Sequence, residues 1–111
     1  MAYIKQAEET PWEPGRTPNR QLRRLINADD TPLLHTVLVQ LGPGEAVSLH
    51  SHSVLETMYI LEGEGHGQVA GERGPCRPGT IMYAPAGVEH ELKNTGQGNM
   101  VVLCTFCPPN M

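Results

Sequence analysis

Apolar and polar residues alternate along this chain in short runs, each broken after a few positions by glycine, proline or an Asn/Asp cluster. His35 to Leu41 alternates as a strand and is closed by Gly42-Pro43-Gly44. Ala46 to His52 predicts the next strand, whose even positions Ala46, Ser48, His50 and His52 would share the inner face. Glu56 to Leu61 follows, with Met58 and Ile60 on the face of Glu56, and Thr80 to Ala84, His90 to Lys93 and Asn99 to Phe106 complete the series. Gln21 to Asn27 fits either one helical turn or an edge strand. The turn offered by Asn27-Ala28-Asp29-Asp30 favours the strand. Gly63-Glu64-Gly65-His66-Gly67 reads as a turn, with His66 exposed in a hairpin, and Ala70-Gly71-Glu72-Arg73 as another. Nine or ten short strands with such punctuation predict an all-β sandwich or barrel. Ahead of them, residues 1–19 carry Pro11, Pro14, Gly15 and Pro18 and form an extended arm anchored by Tyr3, Ile4 and Trp12; residues 20–111 form a single domain.

Size and composition narrow the function. A chain of 111 residues is one domain that buries only about 65% of its unfolded surface. Its 12 glycines and 10 prolines leave no room for long helices. A net charge of −4 and a pI near 5.7 argue against nucleic acid, which calls for a basic face. There is no membrane-length apolar run and no signal pattern over Met1 to Glu9, so a cytoplasmic protein is expected. Three cysteines are not a disulfide framework. Cys104 and Cys107 lie three apart on a strand and face opposite ways, so both read as packing residues, and Cys76 as inert. Arg16, Arg20, Arg23 and Arg24 hold half of the positive charge; a solvated edge is the favoured reading, with an anionic substrate or a partner chain as the alternative.

The chemistry-bearing residues are few. His50 and His52, two apart on an extended segment, face the same way, and Glu56 can close on the same point from the start of the next strand. His90, far downstream, can complete the set. Imidazole and carboxylate together are ligands for a divalent first-row metal, and the absence of thiolate argues against a structural zinc site. Fe, Mn, Ni, Co, Cu and Zn all suit one such position. His35 reads as structural or exposed, although a neighbouring strand could turn it toward the pocket.

The spacing is Gly44-(5)-His50-x-His52-(3)-Glu56-(6)-Gly63, then fifteen residues, then Gly79-(5)-Pro85-x-Gly87-(2)-His90-(3)-Asn94. Position for position, this resembles the two-motif signature of the cupin superfamily. The resemblance implies a cupin-type jelly-roll β-barrel with one divalent metal in its mouth. It also implies either a metal-dependent enzyme or a non-catalytic binding or sensor module for a small molecule. Enzymes with a similar ligand set chelate an oxygen-rich organic molecule and either cleave it as dioxygenases or rearrange it as isomerases and lyases. Glu56, the one carboxylate of the set, is the candidate catalytic base. Met58, Ile60, Phe106 and either Met82 or Tyr83 are expected to wall the pocket. The arm is expected to pair with a second copy in a homodimer, as the resemblance suggests.

Overall fold

Ten strands form between these breaks in a computed structural model that describes residues 2–109. In chain order they are β1 (Glu13–Pro14), β2 (Arg20–Ile26), β3 (His35–Leu41), β4 (Ala46–His50), β5 (Leu55–Glu62), β6 (Gly65–Val69), β7 (Glu72–Cys76), β8 (Ile81–Ala84), β9 (His90–Asn94) and β10 (Met100–Cys107). A single 3-10 turn, Ala7–Glu9, precedes them. The strands make two antiparallel sheets, one in the order β1-β2-β3-β10-β5-β8 and the other β4-β9-β6-β7. The two face each other as a jelly-roll-like barrel.

The inward faces follow the alternation. Glu56, Met58 and Ile60 are buried on β5, and Met100, Val102 and Cys104 on β10, with Val37 and Leu41 opposite them on β3. Leu92 and Met82 close the core from β9 and β8. Burial of these side chains, at about 25 cal/mol per Å² of apolar surface, is the main force holding the sheets together.

Two stretches differ from expectation. Gly65-His66-Gly67 is strand, not turn, and Glu72–Cys76 pairs with it as a strand of its own. The glycines disguise β6 because they are there for clearance. A Cβ on Gly65 would lie 2.0 Å from the Lys93 carbonyl oxygen, and one on Gly67 would lie 2.8 Å from the Met82 side chain. His66 is exposed, as expected. The turn between β6 and β7 falls at Ala70-Gly71, both at positive φ, the geometry of a tight hairpin.

Three of the motif positions work as joints. The Gly87 N–H, at φ +79°, donates to the His52 carbonyl at 2.8 Å and so ties the turn after β8 to the histidine loop. Asn94 is fully buried; its Nδ2 donates to the carbonyls of Leu41 and Gly98, and its backbone N–H donates to Glu45 O. The Gly44 N–H returns a bond to the Asn94 carbonyl. The arm reaches its own chain: β1 pairs with β2, and the Trp12 ring lies 4.3 Å from the Arg23 guanidinium. Tyr3 and Ile4 stay exposed.

Candidate metal centre

His50, His52, Glu56 and His90 come together, each offering one ligand atom, and these atoms lie within 4.8 Å of one another. His50 ends β4, Glu56 stands second in β5 and His90 opens β9. His52 sits in the loop past β4, because that strand stops at His50, two residues before its expected end. The parity argument for β4 also fails in part. Val47 pairs with Leu92 and His50 with His90, so β4 takes three steps where β9 takes two. This bulge lets Val47 pack on the core and still turns His50 inward, while Ser48 is exposed.

The hydrogen bonds fix how the imidazoles face. Nδ1 of His50 donates to Ser48 O (2.7 Å), Nδ1 of His52 to Val54 O (3.0 Å) and Nδ1 of His90 to Val88 O (2.9 Å). A carbonyl only accepts, so each Nδ1 carries a proton, and a ring with only that proton presents a bare Nε2. Two of these Nε2 atoms, on His52 and His90, point at the same Oε1 of Glu56, each at 3.0 Å. Acceptors facing acceptors in a site where Glu56 is 5% exposed and His90 2% require a shared proton or a cation. The hydrogen bond to Glu56 raises the His90 pKa, against the opposing effect of burial. The donor set therefore fits a divalent ion: three neutral nitrogens held from behind and one anionic oxygen.

The cluster opens on a cavity of about 840 Å³ between the sheets. Of the expected walls, Met58 and Phe106 line it; Ile60 and Met82 lie in the core and Tyr83 is on the outside. Cys104 also lines the cavity beneath Glu56, and burial with the Glu56 charge holds its thiol well above the usual range. Cys107 faces the other way and Cys76 is buried against Met82 Sδ at 3.7 Å. His35 is 1% exposed on the inward face of β3, its ring 5.9 Å from that of Phe106 and tilted by 36°, and neither ring nitrogen has a hydrogen-bond partner. Burial first, then the Arg24 charge, lower its pKa. The arginines differ most from expectation: Arg16, Arg20 and Arg24 line the cavity, and only Arg23 lies on the outer face, under Trp12. The signal was available in the parity of β2, where Arg20, Leu22 and Arg24 share one face.

The cupin-domain family model matches residues 37–106, more than half of the chain and all four clustered residues. The chain is a cupin. It is 30% identical to an L-ectoine synthase of Vibrio campbellii over 87 residues, covering 78% of this cupin and 68% of that protein. Its fold is similar to that of KdgF from Halomonas sp., with a TM-score of 0.89, 22% identity, and coverage of 99% and 96% of the two chains. Ectoine synthase from P. lautus superposes with a TM-score of 0.83 at 25% identity, over 99% of this cupin and 80% of that chain. No helix among the described residues is long and apolar enough to cross a membrane.

Proposed function

We propose that this cupin is a metal-dependent enzyme that moves a proton on a small, oxygen-rich molecule, in the manner of a lyase or isomerase. The observation that carries this reading is the pair of bare Nε2 atoms aimed with a third imidazole at one buried carboxylate, at the head of a cavity large enough for a small molecule. His50, His52, His90 and Glu56 would hold one divalent first-row metal, Fe, Mn, Ni, Co, Cu or Zn. When bound, such an ion polarises a substrate oxygen and lowers the cost of losing a neighbouring proton.

The protein's own groups do the rest. Three backbone carbonyls lock the imidazoles against rotation. Phe106 packs edge-on to His52 at 5.5 Å and keeps water from that side. Glu56 is the one carboxylate of the cluster and can take the proton on a carboxylate oxygen. Cleavage by a dioxygenase would draw on the same four residues; the likeness to ectoine synthases favours the lyase type. Three free cysteines suit a reducing compartment such as the cytoplasm. A homodimer is supported by Tyr59, Leu61, Ile81 and Tyr83, which leave an apolar patch exposed on the outer face of β5 and β8.

The test begins with metal analysis of untagged protein from unsupplemented medium. Enolisable hydroxy and keto acids are then screened for loss of a C–H signal in deuterated water. Stoichiometric metal with solvent exchange or product formation is the expected result. A ligand that binds tightly and returns unchanged with every metal would overturn the enzyme reading and leave a binding module.

A further inference from the structure

The inward residues of this barrel are not equally buried. On β5 and β10, Met58, Ile60, Val102 and Cys104 are at most 5% exposed. Toward the seam between β2 and β4, Leu22, Val39 and Val47 pack on the same core yet stay half-buried. All three line the cavity of about 840 Å³ that runs on to the histidine–glutamate cluster, as does the half-buried Phe106 beside His52. Apolar surface left wet on an inward face forgoes the stabilisation that burial would bring. The chain's own arm does not cover it, because β1 is taken up in pairing with β2. Across the seam, Arg20 donates to Ala46 O at 2.9 Å and Thr17 Oγ1 donates to the Glu45 carboxylate, contacts that pin the two sheets to each other at the end away from the cluster.

The register gives the length of this apolar wall. His50 pairs with His90 at the cluster, and Val47 pairs with Leu92, two residues further along β9. On the other sheet Phe106 pairs with Glu56, while Val102, four residues back along β10, pairs with Val39, which pairs in turn with Leu22. Four residues of strand span about 13 Å. Polar atoms therefore stand at one end of the cavity, and apolar side chains from both sheets follow for that distance. A cavity of about 840 Å³ belongs with sites for drug-sized molecules, about 300–1,000 Å³, and a short acid held at the cluster would leave most of the wall in water. Arg20 and Arg24 lie on the same wall but are already engaged, on Ala46 O and on Glu13.

We infer that the ligand of this cavity is amphiphilic: an oxygen-bearing head at the histidine–glutamate cluster, and an apolar body long enough to lie between Val47 and the Leu22–Val39 pair. The head rests on the metal-dependent reading above. The body stands on the cavity wall alone.

Titration calorimetry of the full chain with straight-chain 2-oxo acids, from pyruvate to 2-oxooctanoate, tests this. Each added methylene is expected to tighten binding by about threefold to fourfold, with an increasingly negative heat-capacity change. Val39→Phe fills the wall, so it should erase the gain of the longest acids and leave pyruvate as it was. Methyl NMR of the wild type reads the same point without a variant: 2-oxooctanoate should shift Val39 and Val47 and leave Leu61 and Ile81, exposed on the outside, unmoved. Affinity that stays flat along the series, a step per methylene untouched by Val39→Phe, or shifts at Leu61 and Ile81 instead, overturns the proposal. The same series on His50→Ala/His90→Ala separates the two readings. Weaker binding of the longer acids with the step per methylene kept supports head and body together; unchanged binding with the step kept overturns the head and retains the body. A flat series on a wild type that carries its metal overturns the body and leaves the metal reading standing.

Discussion

The Nε2 of His90 stands 3.0 Å from Oε1 of Glu56, thirty-four residues earlier in the chain, and that contact brings a side chain of each motif into one site. His90 arrives from the four-stranded sheet and Glu56 from the six-stranded one, so the cluster also spans the barrel. Replacing His50 and His90 with alanine is expected to abolish stoichiometric metal. A chelator should lower the Tm of the wild type and leave the variant unmoved, because an ion bound only by the native state stabilises it, by about 2.7 kcal/mol at a hundredfold excess over Kd. Equal metal content by mass spectrometry would defeat this.

Glu56→Gln should separate holding from turnover. The amide keeps an oxygen where Oε1 now lies, so three histidines and that oxygen retain part of the metal. The proton acceptor is gone, and kcat should fall by roughly 10²-fold or more, in line with loss of a general base. A variant with full activity would remove Glu56 from the chemistry.

His35 offers a test against pH. Its pKa is lowered from the usual 6.5, first by burial and then by Arg24. Protons therefore bind the unfolded chain more readily than the folded one below that value. Stability from this group is complete above 6.5 and is lost as pH falls from there through the lowered folded pKa. His35→Leu removes both unpartnered nitrogens and should stabilise by about 1 kcal/mol near neutrality, with a larger advantage in acid. Denaturant melts of the two proteins at pH 5 and pH 8 check the sign; a gap that widens toward pH 8 contradicts it.

Much of this architecture is legible from the chain, and each exception has its own physical cause. Alternation located β3, β5, β8, β9 and β10 because each buries one face, and the spacing of histidine, glutamate and glycine located the cluster. Gly65 and Gly67 hid β6, since a strand chosen for clearance carries no apolar alternation. Val47 hid the bulge, because parity assumes an unbroken ladder. Arg20 and Arg24 suggest a solvated edge because charge on a strand is ordinarily outside; only their shared parity with Leu22 says otherwise.

Gly65→Ala tests that clearance directly. Its Cβ would meet the Lys93 carbonyl at 2.0 Å, and backbone cannot yield as a side chain end can. A loss of about 3 kcal/mol or more is expected, as for overpacked sites. Gly74→Ala, whose Cβ would meet open space on the neighbouring strand β7, is the control and should melt close to wild type. Equal melting of the two variants would show that β6 has room to spare.

Assembly is read most simply by light scattering. A dimer is expected at twice the 12.1 kDa chain mass, and Tyr59→Glu with Ile81→Glu, paired neighbours on the outer face of β5 and β8, should return it to one chain. Wild type that scatters as a single chain at micromolar concentration would end the proposal.

Because β4 spends three residues where β9 spends two, its two halves answer to different selections. Ala46 and Val47 are screened by packing, His50 by the cluster it joins, and the exposed Ser48 and Leu49 between them by neither. A barrel with such a joint can exchange the residues of its cluster without repacking its interior, and can drift in its interior without disturbing the cluster. One irregular step in one strand makes the chemistry of this fold evolvable apart from its stability.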